Sequence, residues 1–165
     1  MIFPAAIEKK AADLLAHCRS ASLLITTAES CTGGLVAGAL TGIAGASDVF
    51  ERGFVTYSNR SKSEVLAVPG ALIVREGAVS EAVARAMAAG ALAHSAADLA
   101  LAVTGIAGPG GGTAGKPVGL VWFAIARRDQ GLRTLERRFG NPGRTTVRLK
   151  AVATALDLLS EAIVG

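Results

Sequence analysis

Leu23-Leu24-Ile25-Thr26-Thr27-Ala28-Glu29-Ser30-Cys31-Thr32-Gly33-Gly34 passes from a strand pattern to a helix start within one short stretch. Leu23 to Thr27 is β-prone and runs straight into Ser30. Beyond Gly33-Gly34, Val36, Ala39, Leu40 and Ile43 recur at helical spacing. A strand that turns into a helix through a polar, glycine-ended loop is the building unit of a layered α/β domain.

The flanking sequence repeats the alternation. Ile7, Ala11, Leu14, Leu15 and Cys18 predict an amphipathic helix over 4–20. Gly53 to Ser58 reads as a strand, and Lys62 to Leu66 as a short helix stopped before Pro69-Gly70. Ser80 is placed to cap an Ala-rich helix that runs to about Ser95. Leu99 to Thr104 is a further strand, followed by a loop with six glycines between Gly105 and Gly115. Val118 to Arg127 and Leu132 to Arg138 predict an antiparallel hairpin turning at Asp129-Gln130-Gly131. A last helix starts near Pro142, with Val147, Ala151, Thr154, Leu158 and Ala162 on one face. The expectation is a single α/β/α domain over 1–165, with a mixed, partly antiparallel central sheet flanked by helices.

Composition narrows the function classes. Apolar residues make up 51% of the chain and aromatics only 4%, so the core must be built from Ala, Val, Leu and Ile. The two cysteines, Cys18 and Cys31, make neither a disulfide framework nor a metal cluster. Glu8, Lys9 and Lys10 interrupt any signal-peptide pattern. The longest apolar run, Val118 to Ala126, falls far short of the roughly 20 residues a membrane span needs. A cytoplasmic protein with no membrane partner is expected. The net charge of +4 gathers its arginines late in the chain, from Arg127 to Arg148. They form either a basic surface or ordinary solvated edges. Without interleaved aromatics they suit a small anion better than nucleic acid.

Ser30 has two readings. It is an N-cap, or it is a nucleophile whose oxyanion would be held by backbone N–H groups at the helix start. A serine nucleophile needs a base. His17 falls on the polar side of the first helix and His94 at the end of another, so neither is evidently linked to Ser30. Lys62 is the remaining candidate: a desolvated lysine works as a neutral base. Its bland alternative is a surface lysine. Cys31 is read as a packed small residue, although a thiol is intrinsically the better nucleophile. Arg144 falls in the first turn of the last helix, where a guanidinium suits a phosphate. The glycine loop lacks the Gly-Lys-Ser/Thr ending of a P-loop. It is either an anion cradle or a flexible connection.

Five motifs occur in order: Thr27-Ala28-Glu29-Ser30-Cys31-Thr32-Gly33-Gly34, Gly53-Phe54-Val55-Thr56-Tyr57-Ser58-Asn59, Gly77-Ala78-Val79-Ser80, Thr104-Gly105-Ile106-Ala107-Gly108-Pro109 and Lys116-Pro117-Val118-Gly119. Together they resemble the C-terminal domain family of the competence/damage-inducible protein CinA, over nearly the whole chain. The resemblance implies hydrolysis of the carboxamide of nicotinamide mononucleotide (NMN) to nicotinate mononucleotide and ammonia, by a serine–lysine mechanism with no metal or other cofactor. Ser30 then matches the nucleophile, Lys62 the general base, and Tyr57 a third catalytic position. Cys31, Thr32, Gly33, Gly34, Asn59, Thr104, Gly105 and Arg144 match the substrate pocket. A homodimer is expected from exposed strand edges and family precedent. Two readings compete: a non-catalytic nucleotide-binding or competence- and damage-related regulatory module, and a serine amidase for another nucleotide-like amide.

Overall fold

The computed structural model describes residues 2–165; Met1, where the expected domain begins, lies outside them. The chain order is α1 (Ala5–Ala21), β1 (Ile25–Glu29), α2 (Leu35–Thr41), β2 (Phe50–Val55), α3 (Asn59–Leu66), α4 (Gly70–Glu76), α5 (Glu81–Ala93), β3 (Leu99–Gly105), β4 (Leu120–Arg127), β5 (Gly131–Arg138) and α6 (Arg144–Val164). The five strands form one sheet in the order β2-β1-β3-β4-β5. β1 pairs parallel with both β2 and β3; β4 pairs antiparallel with β3 and β5. This is the expected α/β architecture with a mixed, partly antiparallel sheet.

Alternation along the central strands divides the core in two. Leu99, Leu101 and Val103 of β3, with Val121, Phe123 and Ile125 of β4, pack under α1, α2 and α6. The intervening Ala100, Ala102, Ala124 and Ala126 face α5, which answers with Ala84, Met87, Ala88 and Ala91. Large residues on one face support three helices, and alanine against alanine lets α5 lie close to the other. β1 is buried along its whole length because both its edges are paired and both its faces covered.

Several expected boundaries move. β1 runs two residues further, to Glu29, and β2 starts at Phe50 and stops at Val55. Tyr57 and Ser58 therefore leave the strand, and Ser58 caps α3 by accepting from the Ser61 N–H. The helix carrying Lys62 consequently begins at Asn59. That helix ends at Leu66, before Pro69-Gly70 as expected, and Pro69 then opens α4, an element not expected from the sequence. Thr154 is only half-buried: the covered face of α6 widens to include Val152, Ala155 and Leu159, since α6 meets both α1 and the sheet. The Ser80 cap and the β4–β5 hairpin stand where expected.

Candidate active site

Register builds the site. Glu29 pairs with Val55 on one side and with Val103 on the other, so β1 and β2 end level with Val103, and β3 runs on to Gly105. The next residues, Ser30, Thr56 and Thr104, are carried side by side at the carboxyl edge of the sheet, where open α/β sheets bind ligands. The ladder extends one step further: Ser30 N–H donates to the Val103 carbonyl, and Thr56 N–H to that of Glu29. A depression of about 280 Å³ opens there, lined by Ser30, Cys31, Tyr57, Asn59, Lys62, Ala78, Val79, Thr104, Gly105, Ala107 and Arg144.

Lys62, on the first turn of α3, points inward and is 1% exposed. Its Nζ lies 2.9 Å from Ser30 Oγ and 2.8 Å from the Thr56 carbonyl oxygen. No carboxylate among the described residues pairs with it. Burial holds its pKa below the ordinary lysine range, against a smaller opposing influence of Cys31. Nζ donates to both the Ser30 hydroxyl oxygen and the Thr56 carbonyl. The position of α3 is fixed by a close approach: a Cβ on Gly90 of α5 would fall 2.0 Å from the Leu66 carbonyl oxygen.

The residues after Ser30 divide by their hydrogen bonds. The buried Glu29 carboxylate accepts from Thr32 Oγ1 (2.6 Å), Gly34 N–H (3.1 Å), Val36 N–H (3.0 Å) and Ala37 N–H (2.8 Å). Gly33 N–H donates to the Ser30 carbonyl. The amides of Gly33 and Gly34, expected to face substrate, are thus already engaged; Glu29 fills the mouth of α2. Gly33 sits at φ 58°, which favours glycine. Cys31 and Thr32 N–H donate to no other described residue, and the Cys31 amide lies beside its own thiol. The Cys31 thiol is buried, and burial pushes its pKa up to about 12. It stays a neutral thiol, whereas the nucleophilic form is the thiolate.

Tyr57 stands at the mouth, 62% exposed, its hydroxyl accepting from Arg144 Nη2 at 3.0 Å and bonded to neither Ser30 nor Lys62. Arg144, the first residue of α6, also donates to the Gly108 carbonyl at 2.8 Å. Thr104 Oγ1 donates to the Ala78 carbonyl, tying β3 to the segment before α5. Asn59 lines the rim from the start of α3. Gly105 also lines the pocket, but a Cβ there would fall 2.7 Å from Val121 and 2.9 Å from the Leu120 carbonyl, so β4 already requires the glycine. Of the glycine loop beyond it, only Ala107 lines the depression.

Both histidines are exposed and outside the pocket. The late arginines are largely spent on the fold: Arg127 and Arg128 donate to carbonyls at helix ends, and Arg148 to those of Cys31 and Thr32. Arg148 carried no site signal in the sequence. Among the described residues no cluster of His, Cys, Asp and Glu could hold a metal ion, and no helix is long and apolar enough to cross a membrane.

Comparison with known proteins places this arrangement. A "CinA-like protein" of Synechococcus sp. (strain RCC307) is 51% identical over 158 residues, covering 95% of this chain and 38% of that protein. The chain thus spans little more than a third of that longer relative. "Nicotinamide-nucleotide amidohydrolase PncC" of Escherichia coli (strain K12) is 52% identical over 136 residues, covering 82% of this chain and 81% of that one. The crystal structure of the competence/damage inducible protein CihA from Agrobacterium tumefaciens superposes with a TM-score of 0.97 at 50% identity, covering 100% of this chain and 99% of that one. The family profile described as CinA C-terminal domain matches residues 7–163, and this chain belongs to that family.

Proposed function

We propose that this protein is a cytoplasmic serine amidohydrolase that converts NMN to nicotinate mononucleotide and ammonia. One observation carries the reading: a buried lysine with no counter-ion among the described residues lies 2.9 Å from a serine hydroxyl inside the pocket. The relatives named nicotinamide-nucleotide amidohydrolase supply the substrate.

Neutral Lys62 takes the Ser30 proton as Oγ attacks the carboxamide carbon. The developing oxyanion is met by the free N–H groups of Cys31 and Thr32. Lys62, now an ammonium, protonates the amide nitrogen; the C–N bond breaks and ammonia leaves. Water, giving one proton to Lys62, then attacks the acyl-serine; the bond from the acyl carbon to Oγ breaks as Lys62 returns that proton to Ser30, and the acid product loses its remaining proton to solvent as the carboxylate. Arg144, at the start of α6, takes the single phosphate with the donors that Gly108 and Tyr57 leave free.

The deciding experiment is ammonia release from NMN by purified protein, wild type against Ser30→Ala. Serine-dependent release supports the reading. Equal release from both proteins, or none from either, refutes it. Activity retained in excess chelator is expected for a serine–lysine mechanism.

A further inference from the structure

We infer that Arg148 is a positioning residue that aims the Thr32 amide of the Ser30 turn at the oxyanion, beside the Cys31 amide that Gly33 N–H sets by holding the Ser30 carbonyl; this rests on the amidohydrolase reading above. In a trans peptide the N–H points opposite to the C=O of the same plane. The one cis bond among the described residues is Gly108–Pro109, so the peptides after Ser30 are trans. The Ser30 carbonyl accepts from Gly33 N–H at 3.0 Å, and this fixes the plane whose other side is Cys31 N–H. The Cys31 carbonyl accepts from Arg148 Nε at 3.1 Å, and this fixes the plane whose other side is Thr32 N–H. Arg148 Nη2 holds the following carbonyl, that of Thr32, at 3.1 Å.

The planar guanidinium therefore grips two successive carbonyls, and by holding that of Cys31 it turns the plane this carbonyl shares with the next amide so that Thr32 N–H faces away from it. Cys31 and Thr32 N–H are the two amides of the turn that donate to no other described residue. Glu29 contributes from the opposite side by engaging Thr32 Oγ1 and the first amides of α2, so those amides do not compete for the turn. Gly33 belongs to the same device: a Cβ there would fall 3.2 Å from Arg148 Nη2. A lysine could reach one of the two carbonyls but could not fix both. Arg148 hydrogen-bonds neither Ser30 Oγ nor Lys62, and its effect passes through the backbone carbonyls it holds.

Two measurements on Arg148→Met and Arg148→Lys test the assignment. The first is the rate at which a fluorophosphonate labels Ser30, followed by mass spectrometry. This reaction needs the nucleophile and its oxyanion donors but not the nucleotide. The second is NMN turnover. Labelling and kcat should both fall roughly 10- to 100-fold in Arg148→Met, with smaller losses in Arg148→Lys, since one lost oxyanion donor costs about that or more. KM and the pH midpoint should stay unchanged, because neither the substrate contacts nor Lys62 are altered. Wild-type labelling rates in both variants overturn the inference, as does a rise in KM at constant kcat. If Met at this position does not fold, Arg148→Lys decides alone. Wild-type protein that is labelled at Ser30 but leaves NMN intact overturns the substrate reading and not this inference. Absence of labelling in the wild type overturns both.

Discussion

The Lys62 amine lies 2.9 Å from the Ser30 hydroxyl, although 32 residues separate the two. The contact depends on three local decisions. β1 delivers Ser30 at the sheet edge, Ser58 starts α3 early enough to turn Lys62 inward, and Gly90 lets α5 hold α3 in place. Burial then disfavours the ammonium form, which is the direction the proposed base requires.

Lys62→Met should lower kcat roughly 100- to 10,000-fold, the usual worth of a positioned general base. In the wild type the rate should rise with pH as Lys62 loses its proton, with a midpoint below the ordinary lysine value of 10.5. The variant should lack that limb. Stability carries the same signature. Between the lowered folded pKa and 10.5 the unfolded chain binds more protons than the folded one. Stability therefore gains as pH rises through that window. Urea unfolding from neutral to alkaline pH should show this gain in the wild type and a flatter curve in Lys62→Met.

Glu29→Gln should destabilise the protein by about 2–3 kcal/mol, because a side-chain amide has one acceptor oxygen for four donors and turns an NH2 group toward the rest. The four donors are Thr32 Oγ1 and the amides of Gly34, Val36 and Ala37. The denaturant midpoint reports the loss. An unchanged midpoint would show that α2 can do without its buried carboxylate.

The sequence exposes those parts of the site that depend on one strand, turn and helix. Ser30 is legible because a β-prone run, a glycine pair and a helical stripe surround it. The α/β class follows from the same alternation. Lys62 is legible only by its distance from Tyr57, because the cap at Ser58 that turns it inward looks like any other serine. Arg148 is invisible: its partners lie 117 and 116 residues away, and only the crossing of α6 over the Ser30 turn brings them together. Glu29 is equally silent, since nothing local separates a carboxylate that plugs a helix from one in solvent. Gly105 misleads in the other direction. Its glycine suggests ligand approach, while the paired strand β4 already demands it.

Gly90→Ala should cost about 2 kcal/mol and reduce activity as well. The new Cβ would meet the Leu66 carbonyl oxygen at 2.0 Å, and a backbone atom at that distance cannot simply rotate away. α3 must shift from α5, and Lys62 lies one turn before Leu66 on the same helix. Thermal unfolding and kcat measured together should fall in parallel. A stability loss with full activity would mean that α5 moves and leaves α3 where it is.

Arg144 and Tyr57 should separate from Ser30 and Lys62 in their kinetics. Arg144 is held at the pocket mouth by the Gly108 carbonyl and the Tyr57 hydroxyl, with donors left for an anion. Loss of a charge-assisted contact to phosphate that is equally present in the bound substrate and the transition state raises KM and leaves kcat. Arg144→Ala is therefore expected to raise KM for NMN roughly 10- to 100-fold, with kcat changed only a few-fold. Tyr57→Phe removes one acceptor from the guanidinium but keeps the ring, so its effect should be small. Tyr57→Ala also removes the wall and should raise KM further. Steady-state kinetics of the three variants against NMN make the comparison. A large fall in kcat for Tyr57→Phe would instead place the phenol in the proton transfer itself, which requires it to leave Arg144 and reach Ser30 or Lys62 when substrate is bound.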